Sequence, residues 1–368
     1  MFKLLHNDRH SSARLGKLKL AHATAETPLF MPVATKGAVK FVSTKELKEL
    51  GTTTIISNSF LLSLRPGLDA VAKAGGLHNF IGWKGGIFTD SGGFQILRER
   101  FFQGISDEGV SFHNPFDRAN AFLSPEQSIS IQNSLGSDVA MVLDHVPSHD
   151  KSKKEVAIAV SRTTDWAKRC KEVHSNKKQL LFGICQGGKF KDLRKKSVLA
   201  LNGLDFDGMA IGGLSIGEPK SVMNKIAGYC MPFIPENKPR YVMGLGSPVD
   251  LLDAIALGAD VFDSCFPTRM ARHGHVFTFE GKKNLDLAVH RNGQKPLDET
   301  CDCFVCKNFS SAFLHHLFRT REENGFRYLS WHNLFFTQQL MKEARSAIKE
   351  NRFETFRNGL AKAYRKSR

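Results

Sequence analysis

No apolar run in this sequence approaches the roughly 20 residues that a helix needs to cross a bilayer, which excludes a helical membrane protein. The opening stretch, Met1-Phe-Lys-Leu-Leu-His-Asn-Asp, lacks the long apolar core and small-residue cleavage site of a secretory signal. A soluble cytoplasmic protein with no membrane partner is therefore expected. Cysteine is scarce and odd in number, seven in 368 residues, so a disulfide framework is not expected. Also missing is the Gly-x-Gly-x-x-Gly fingerprint that a doubly wound dinucleotide-binding sheet carries after its first strand. There is no internal repeat and no low-complexity tract. Acidic residues are in deficit: 36 Asp plus Glu face 52 Lys plus Arg, a net charge of +16 with a pI near 9.6. That imbalance favours a polyanionic partner, nucleic acid first, through counterion release. Incidental basicity is the plainer alternative.

What is present is a rhythm. Short apolar and β-branched runs recur at Thr52–Ser57, Gly86–Thr89, Asp138–Leu143, Gln179–Cys185, Gly208–Ile211, Arg240–Gly244 and Asp260–Phe262, with Leu29–Ala34 as an eighth. Each closes on Gly, Ser, Asn or Asp and is followed by a helical pattern. Continuous rather than alternating apolar character predicts parallel strands covered on both faces. Ser124-Pro-Glu-Gln and Ser247-Pro-Val-Asp read as helix starts, with an N-cap followed by proline at the first helical position. The expected fold is α/β, a (β/α)8 TIM barrel over residues 1–279. A small metal-stapled lobe is expected over 280–335, and a C-terminal helical segment over 336–368 completing the barrel.

Polar residues interrupt the pattern where strands should end. Asp90 and Asp263 each close an apolar strand, where an ionised carboxylate is costly without a partner or a task. Two carboxylates on one barrel rim suit glycosyl transfer with retention, one attacking the anomeric carbon and the other moving protons. The structural alternative for each is a helix cap or an ion pair with an arginine such as Arg269. Gly92-Gly93, Gly187-Gly188 and Gly212-Gly213 allow backbone to approach a flat ligand, which Phe94 and Met243 are suited to sandwich. Asp144 can accept from the N1–H and 2-amino donors of guanine, and Gln186 can serve its O6 or N7 side.

Five stretches then occur in order: Phe88-Thr-Asp-Ser-Gly-Gly-Phe-Gln95, Gly183-Ile-Cys-Gln-Gly-Gly188, Ile211-Gly-Gly-Leu-Ser-Ile-Gly-Glu218, Tyr241-Val-Met-Gly-Leu-Gly246 and Phe262-Asp-Ser-Cys-Phe-Pro-Thr-Arg269. Together with Cys301-x-Cys303-x-x-Cys306 and His332 they resemble the successive signatures of the tRNA-guanine transglycosylases, or queuine tRNA-ribosyltransferases, closest to the bacterial type, over roughly residues 12 to 355. The resemblance implies a pentosyltransferase of queuosine biosynthesis that replaces guanine 34 of a tRNA anticodon with a 7-deazaguanine. It implies Asp263 as the nucleophile on C1′, through a covalent aspartyl-ribose intermediate, and Asp90 as general acid/base. Asp144, Gln186 and the Gly213 N–H would hold the base, Leu214 would offer its carbonyl to a 7-substituent, and Phe94 and Met243 would stack. Arg269 and Arg272 would meet tRNA phosphate or flanking bases. The expected partners are tRNA, the 7-deazaguanine and a second copy of the chain in a homodimer.

The cysteine trio supplies three ligands of a closed Cys3His set suited to one structural Zn2+ per subunit. His315 and His316 follow closely, while the resemblance favours His332. The bulky Ile216 favours preQ1 as the incoming base, since forms that accept queuine carry glycine there. Departures at Val146 and at Ser57-Asn58-Ser59-Phe60-Leu61-Leu62 keep queuine open. PreQ0 ranks last, because the further C-terminal RNA-binding domain of archaeal relatives is not seen. Two other readings stand beside this one: a non-catalytic RNA-binding partner subunit, and a barrel hydrolase of another N-glycoside.

Overall fold

All eight apolar runs form strands, and their continuous burial explains why they do so in parallel. The computed structural model describes residues 1–93, 96 and 101–366. The barrel strands, numbered in chain order, are β1 Leu29–Pro32, β2 Thr54–Asn58, β3 Gly86–Asp90 and β4 Val139–Met141. They continue with β5 Leu180–Cys185, β6 Gly208–Ile211, β7 Arg240–Val242 and β8 Val261–Ser264. The sheet order is β1-β8-β7-β6-β5-β4-β3-β2, with every neighbouring pair parallel. A parallel bridge from Val33 to Ile56 brings the outer strands together, so the barrel is nearly closed. Phe88, Phe182 and Tyr241, from alternate strands β3, β5 and β7, fill the interior edge to face at 5.6 and 6.1 Å, one layer of barrel packing.

Helices cover the outside. Helix Pro125–Leu135 begins as expected: the Ser124 hydroxyl accepts from the Gln127 amide, Gln127 returns the bond to the Ser124 N–H, and left-handed Gly136 ends it. Helix Pro248–Ala256 also starts where the sequence places it, but the Ser247 hydroxyl makes no cap bond. Proline at the first position sets that start without it. An antiparallel sheet of Phe102–Ile105, Val110–His113 and Asn120–Leu123 is inserted between β3 and β4. Beyond β8 come a hairpin, His275–Thr278 with Gly281–Asn284, three short helical stretches and the long helix Glu323–Lys349, which packs on β1. The buried Asn333 ties that helix to the chain leaving the barrel: its carboxamide accepts from the Phe277 amide and donates to the carbonyls of Pro267 and His275. Among the described residues no helix is long and apolar enough to cross a membrane.

A second antiparallel sheet, Phe2–Asn7, Arg14–Lys19 and Thr24–Thr27, lies against the end where the barrel strands begin. Arg14 fixes it there. Its guanidinium donates to both oxygens of buried Asp260 at 3.0 and 2.5 Å and to the carbonyls of Glu236 and Lys238 at 2.9 and 2.8 Å. Burial raises the Asp260 carboxyl and Arg14 opposes the shift. Replacing Arg14 by methionine is expected to cost about 3–5 kcal/mol, since it strands a buried carboxylate. A fall in the denaturation midpoint, recovered largely by adding Asp260→Leu, is the result to look for.

Candidate active site

The polar residues that interrupt the apolar runs come together on one rim. Asp90 ends β3, Asp263 lies near the end of β8, Gln186 follows β5, Gly212 and Gly213 follow β6, Met243 and Gly244 follow β7, and Asp144 follows β4. This is the C-terminal face of a barrel, where loops rather than strands decide chemistry.

Asp263 is held by neutral donors. The Tyr241 hydroxyl donates to its Oδ1 at 2.6 Å and the Gly244 amide to the same oxygen at 2.9 Å. Burial raises the Asp263 carboxyl, and the two bonds oppose that rise. The Tyr241 phenol is itself raised well above its ordinary value, by burial first and then by the charges of Asp263 and Asp90, so both carboxylates bear on one buried ring. The ion pair with Arg269 does not form: Arg269 donates to the Cys265 sulfur at 2.7 Å, and Arg272 to the Thr268 carbonyl at 3.0 Å, one turn back. Nor does Asp263 cap the helix Phe266–Arg272 that follows it. Asp90 accepts from the Asn58 side chain and from the Ser59 amide, both at 3.3 Å, while the Ser59 hydroxyl donates to its backbone carbonyl at 2.5 Å.

Asp144 and Gln186 pair across neighbouring strand ends, with Gln186 Nε2 donating to Asp144 Oδ2 at 2.6 Å. Both are buried, and burial pushes the Asp144 carboxyl up to about 6 against that bond. The buried Gln186 Oε1 has no hydrogen-bond partner among the described residues. A Cβ added to Gly212 would lie 2.5 Å from Gln186 Nε2, and one on Gly213 2.5 Å from Oε1, so only glycine admits this amide. Gly213 also has φ +66°, a backbone state glycine tolerates. Leu214 is buried and Met243 partly so. A cleft lined by Pro147, His149, Gly188, Gly213, Leu214 and Pro219 adjoins them. Phe94 lies outside the described residues.

Several supporting residues escaped the sequence reading. Tyr241 looked like strand interior. Arg194, wholly buried, donates to the carbonyls of Cys185, Gly188 and Gly212 and so ties the loops after β5 and β6 together. Its signal was a charged residue on the apolar stripe of helix Lys191–Asn202, beside Leu193, Ser197, Val198 and Leu201. The Glu218 carboxylate accepts from the amides of Ser215 and Ile216 and shapes the loop after Leu214.

Away from the rim, Cys301, Cys303, Cys306 and His332 form one cluster able to hold a metal ion. His332 Nδ1 lies 3.9, 3.4 and 3.5 Å from the three sulfurs. Ligands about 2.0–2.3 Å from a shared tetrahedral ion stand about 3.5 Å apart, so the spacing fits. His332 Nε2 donates to the Phe277 carbonyl at 2.9 Å, leaving Nδ1 as the ligand atom. The rival His315 instead bonds the Leu285 carbonyl at 2.7 Å, and His316 is exposed.

Comparison with known proteins gives the family. Residues 8–366 match the family model described as Queuine tRNA-ribosyltransferase. A protein of that name from Lysinibacillus sphaericus (strain C3-41) is 47% identical over 364 residues, 99% of this chain and 96% of the relative. Its counterpart in Halothermothrix orenii is 45% identical over 363 residues, 99% of this chain and 97% of the relative. That of Bacillus subtilis (strain 168) is 45% identical over 364 residues, covering 99% and 96%.

The Asp144 environment carries a stability prediction. The folded chain keeps a proton there between the ordinary carboxylate value of 3.8 and about 6, where the unfolded chain has lost it. Its contribution to stability therefore falls as pH rises through that window and stays low above it. Asp144→Asn removes the titration and is expected to stabilise the unliganded protein near neutral pH by up to about 3 kcal/mol. Thermal melts on both sides of the window decide it: a gain below as well as above would dismiss the buried charge as its origin.

Proposed function

The chain belongs to the queuine tRNA-ribosyltransferase family, and from that premise we propose that it exchanges guanine 34 of a tRNA anticodon for a 7-deazaguanine, preQ1 in preference to queuine or preQ0. The observation that carries this reading is the pair Asp90 and Asp263 bearing on the same buried Tyr241, beside the Asp144–Gln186 pair.

In the proposed reaction Asp263 attacks C1′ of the target nucleoside. Both of its hydrogen bonds fall on Oδ1, which supports Oδ2 as the attacking oxygen. As the Oδ2–C1′ bond forms, the C1′–N9 bond breaks through an oxocarbenium-like transition state. Its electron pair leaves with guanine, which Asp90 protonates. The incoming base takes the same slot, gives its N9 proton to Asp90 and attacks C1′, and the aspartyl ester releases its electrons to Asp263. Double inversion retains configuration and the RNA backbone stays intact. Asp144 and Gln186 hold the base edge with the Gly213 amide, Leu214 offers its carbonyl to the 7-substituent, and Phe94 and Met243 stack. Exposed Arg269 and partly buried Arg272 serve the flanking RNA.

We assign the Cys3His cluster to a structural Zn2+, which supplies folding free energy rather than chemistry, because four protein ligands leave no open position. A homodimer is supported by an aromatic surface on the same lobe. Phe304 and Phe313 are exposed there; Phe309 joins both of them to Tyr328, and Phe304 also meets Trp331 edge to face.

Incorporation of labelled guanine into tRNA separates this reading from its rivals: a hydrolase leaves an abasic site and a binding subunit does neither. Side-by-side assays with preQ1, queuine and preQ0 test the base, preQ1 being expected to give the highest kcat/KM. Asp263→Ala is expected to abolish exchange and the protein–tRNA adduct that wild type shows on denaturing gels; normal turnover would remove Asp263 from its role. An ionised Asp144 is needed to accept from guanine, so KM for the base should rise as pH falls through about 6. A flat KM profile there would count against Asp144. Cys303→Ala should lose its metal, measured by mass spectrometry, with a lowered Tm; retention of stoichiometric zinc would refute the ligand set.

A further inference from the structure

At the opposite end of the barrel three segments far apart in sequence converge on Asp138, the residue preceding β4. Its carboxylate is fully buried. His22, in the turn between the second and third strands of the N-terminal sheet, places Nδ1 at 3.0 Å from Oδ1. His78, on the short helix Leu77–Ile81, places Nε2 at 3.0 Å from Oδ2 and 3.1 Å from the Gly85 carbonyl. The amides of His22 and Ile87 donate to the same carboxylate at 2.8 and 2.7 Å. The two imidazoles stack with centroids 3.7 Å apart. No part of the proposed exchange reaction uses these residues.

We propose that His22, His78 and Asp138 form a second divalent-cation site, selective for a borderline ion such as Zn2+, that fastens the N-terminal sheet to the closed end of the barrel. The three ligand atoms lie within 4.8 Å of one another. The nitrogen-to-oxygen separations of 3.0 Å are hydrogen-bond distances, under the about 3.5 Å between ligands about 2.0–2.3 Å from a shared tetrahedral ion, so the half-exposed His22 ring moves outward by roughly a few tenths of an ångström as the cation enters. Two imidazoles and a carboxylate are donors that zinc takes, and the Gly85 carbonyl, 3.1 Å from His78 Nε2, is the nearest candidate for a fourth ligand. On binding, His78 presents the Nε2 lone pair to the cation as a neutral ring with its proton on Nδ1, and the proton that lay on Nε2 leaves to solvent. The amides of His22 and Ile87 that donate to Asp138 at 2.8 and 2.7 Å favour its anionic form, so the anionic ligand is available near neutral pH. An entry path exists, because the His22 side chain is 46% exposed while His78 is 10% exposed.

The test counts metal on the full chain. Wild type is dialysed against micromolar Zn2+ and then metal-free buffer, and zinc per chain is measured alongside the Tm with and without added zinc. A second equivalent beyond that of the Cys3His cluster, and a Tm that rises with zinc, are expected in wild type. His22→Ala should lose the second equivalent and the zinc-dependent part of the Tm while keeping the first equivalent. His22→Gln, which preserves a hydrogen bond to Asp138 without an imidazole, guards against a folding defect and should behave like His22→Ala. Co2+ substitution separates the sites, since only the cysteine cluster gives thiolate charge-transfer bands, and these should be unchanged in both variants. A single equivalent in wild type, or a second equivalent that survives both substitutions, overturns the proposal.

Discussion

Burial of a polar side chain at the end of a strand covered on both faces is the constraint on which the rest of this molecule depends. Such a group loses water without gaining any partner from its own strand, and the penalty of leaving it unsatisfied amounts to about 1–3 kcal/mol. In a parallel barrel all strands end on the same side, so the partner comes from the end of a neighbouring strand. The contacts follow that rule. Asn58 at the end of β2 donates to Asp90 at the end of β3, Gln186 after β5 to Asp144 after β4, and Tyr241 of β7 to Asp263 of β8. The strand register that closes the barrel thus also sets which polar groups meet, Asn58 opposite Asp90 being one rung of the β2–β3 ladder. The site is a consequence of the fold's geometry, and Arg194 locks two of its loops from below.

The same constraint decides what a reader of the sequence can see. Strands buried on both faces are written as unbroken apolar runs, so all eight were legible, to within a few residues at their ends. Asp90, Asp144, Gln186 and Asp263 were legible because they break those runs, and the glycines because no other residue has a reason to be doubled there. Tyr241 was not, since an aromatic in a β-branched run is ordinary strand filling and only the neighbouring carboxylate gives its hydroxyl a task. Arg194 was hidden in a helical stripe whose other members are apolar or small. The cluster of His22, His78 and Asp138 has no sequence spacing to betray it, because its members arrive from a turn, a short helix and a strand start. The cysteine trio announced itself, but its fourth ligand lies on a separate helix. Distance in sequence left three histidines in competition until His315 was seen to bond a backbone carbonyl instead.

Burial raises the Asp260 carboxyl at the end where strands begin as it does those of the rim, but the number of donors each carboxylate meets differs between the two ends, and the contrast is sharpest at Asp138. At the end where strands begin, Asp138 receives two backbone amides and two imidazoles, and its charge is favoured despite complete burial. Asp260 there is met by a guanidinium and by the Arg240 amide. At the rim, among the described residues, Asp144 accepts from one side-chain amide and Asp263 from one phenol and one backbone N–H, and burial raises both carboxyls. A carboxylate met by several donors is held firmly in place, whereas one left short gains most from whatever completes it. In the proposed reaction the completing groups on the rim come from a ligand: the N–H donors of a base for Asp144, a carbon electrophile for Asp263. On that proposal, the donor shortage that destabilises the empty rim is the same property that equips it to bind and react, while the end rich in donors supplies the rigidity that keeps the rim in register.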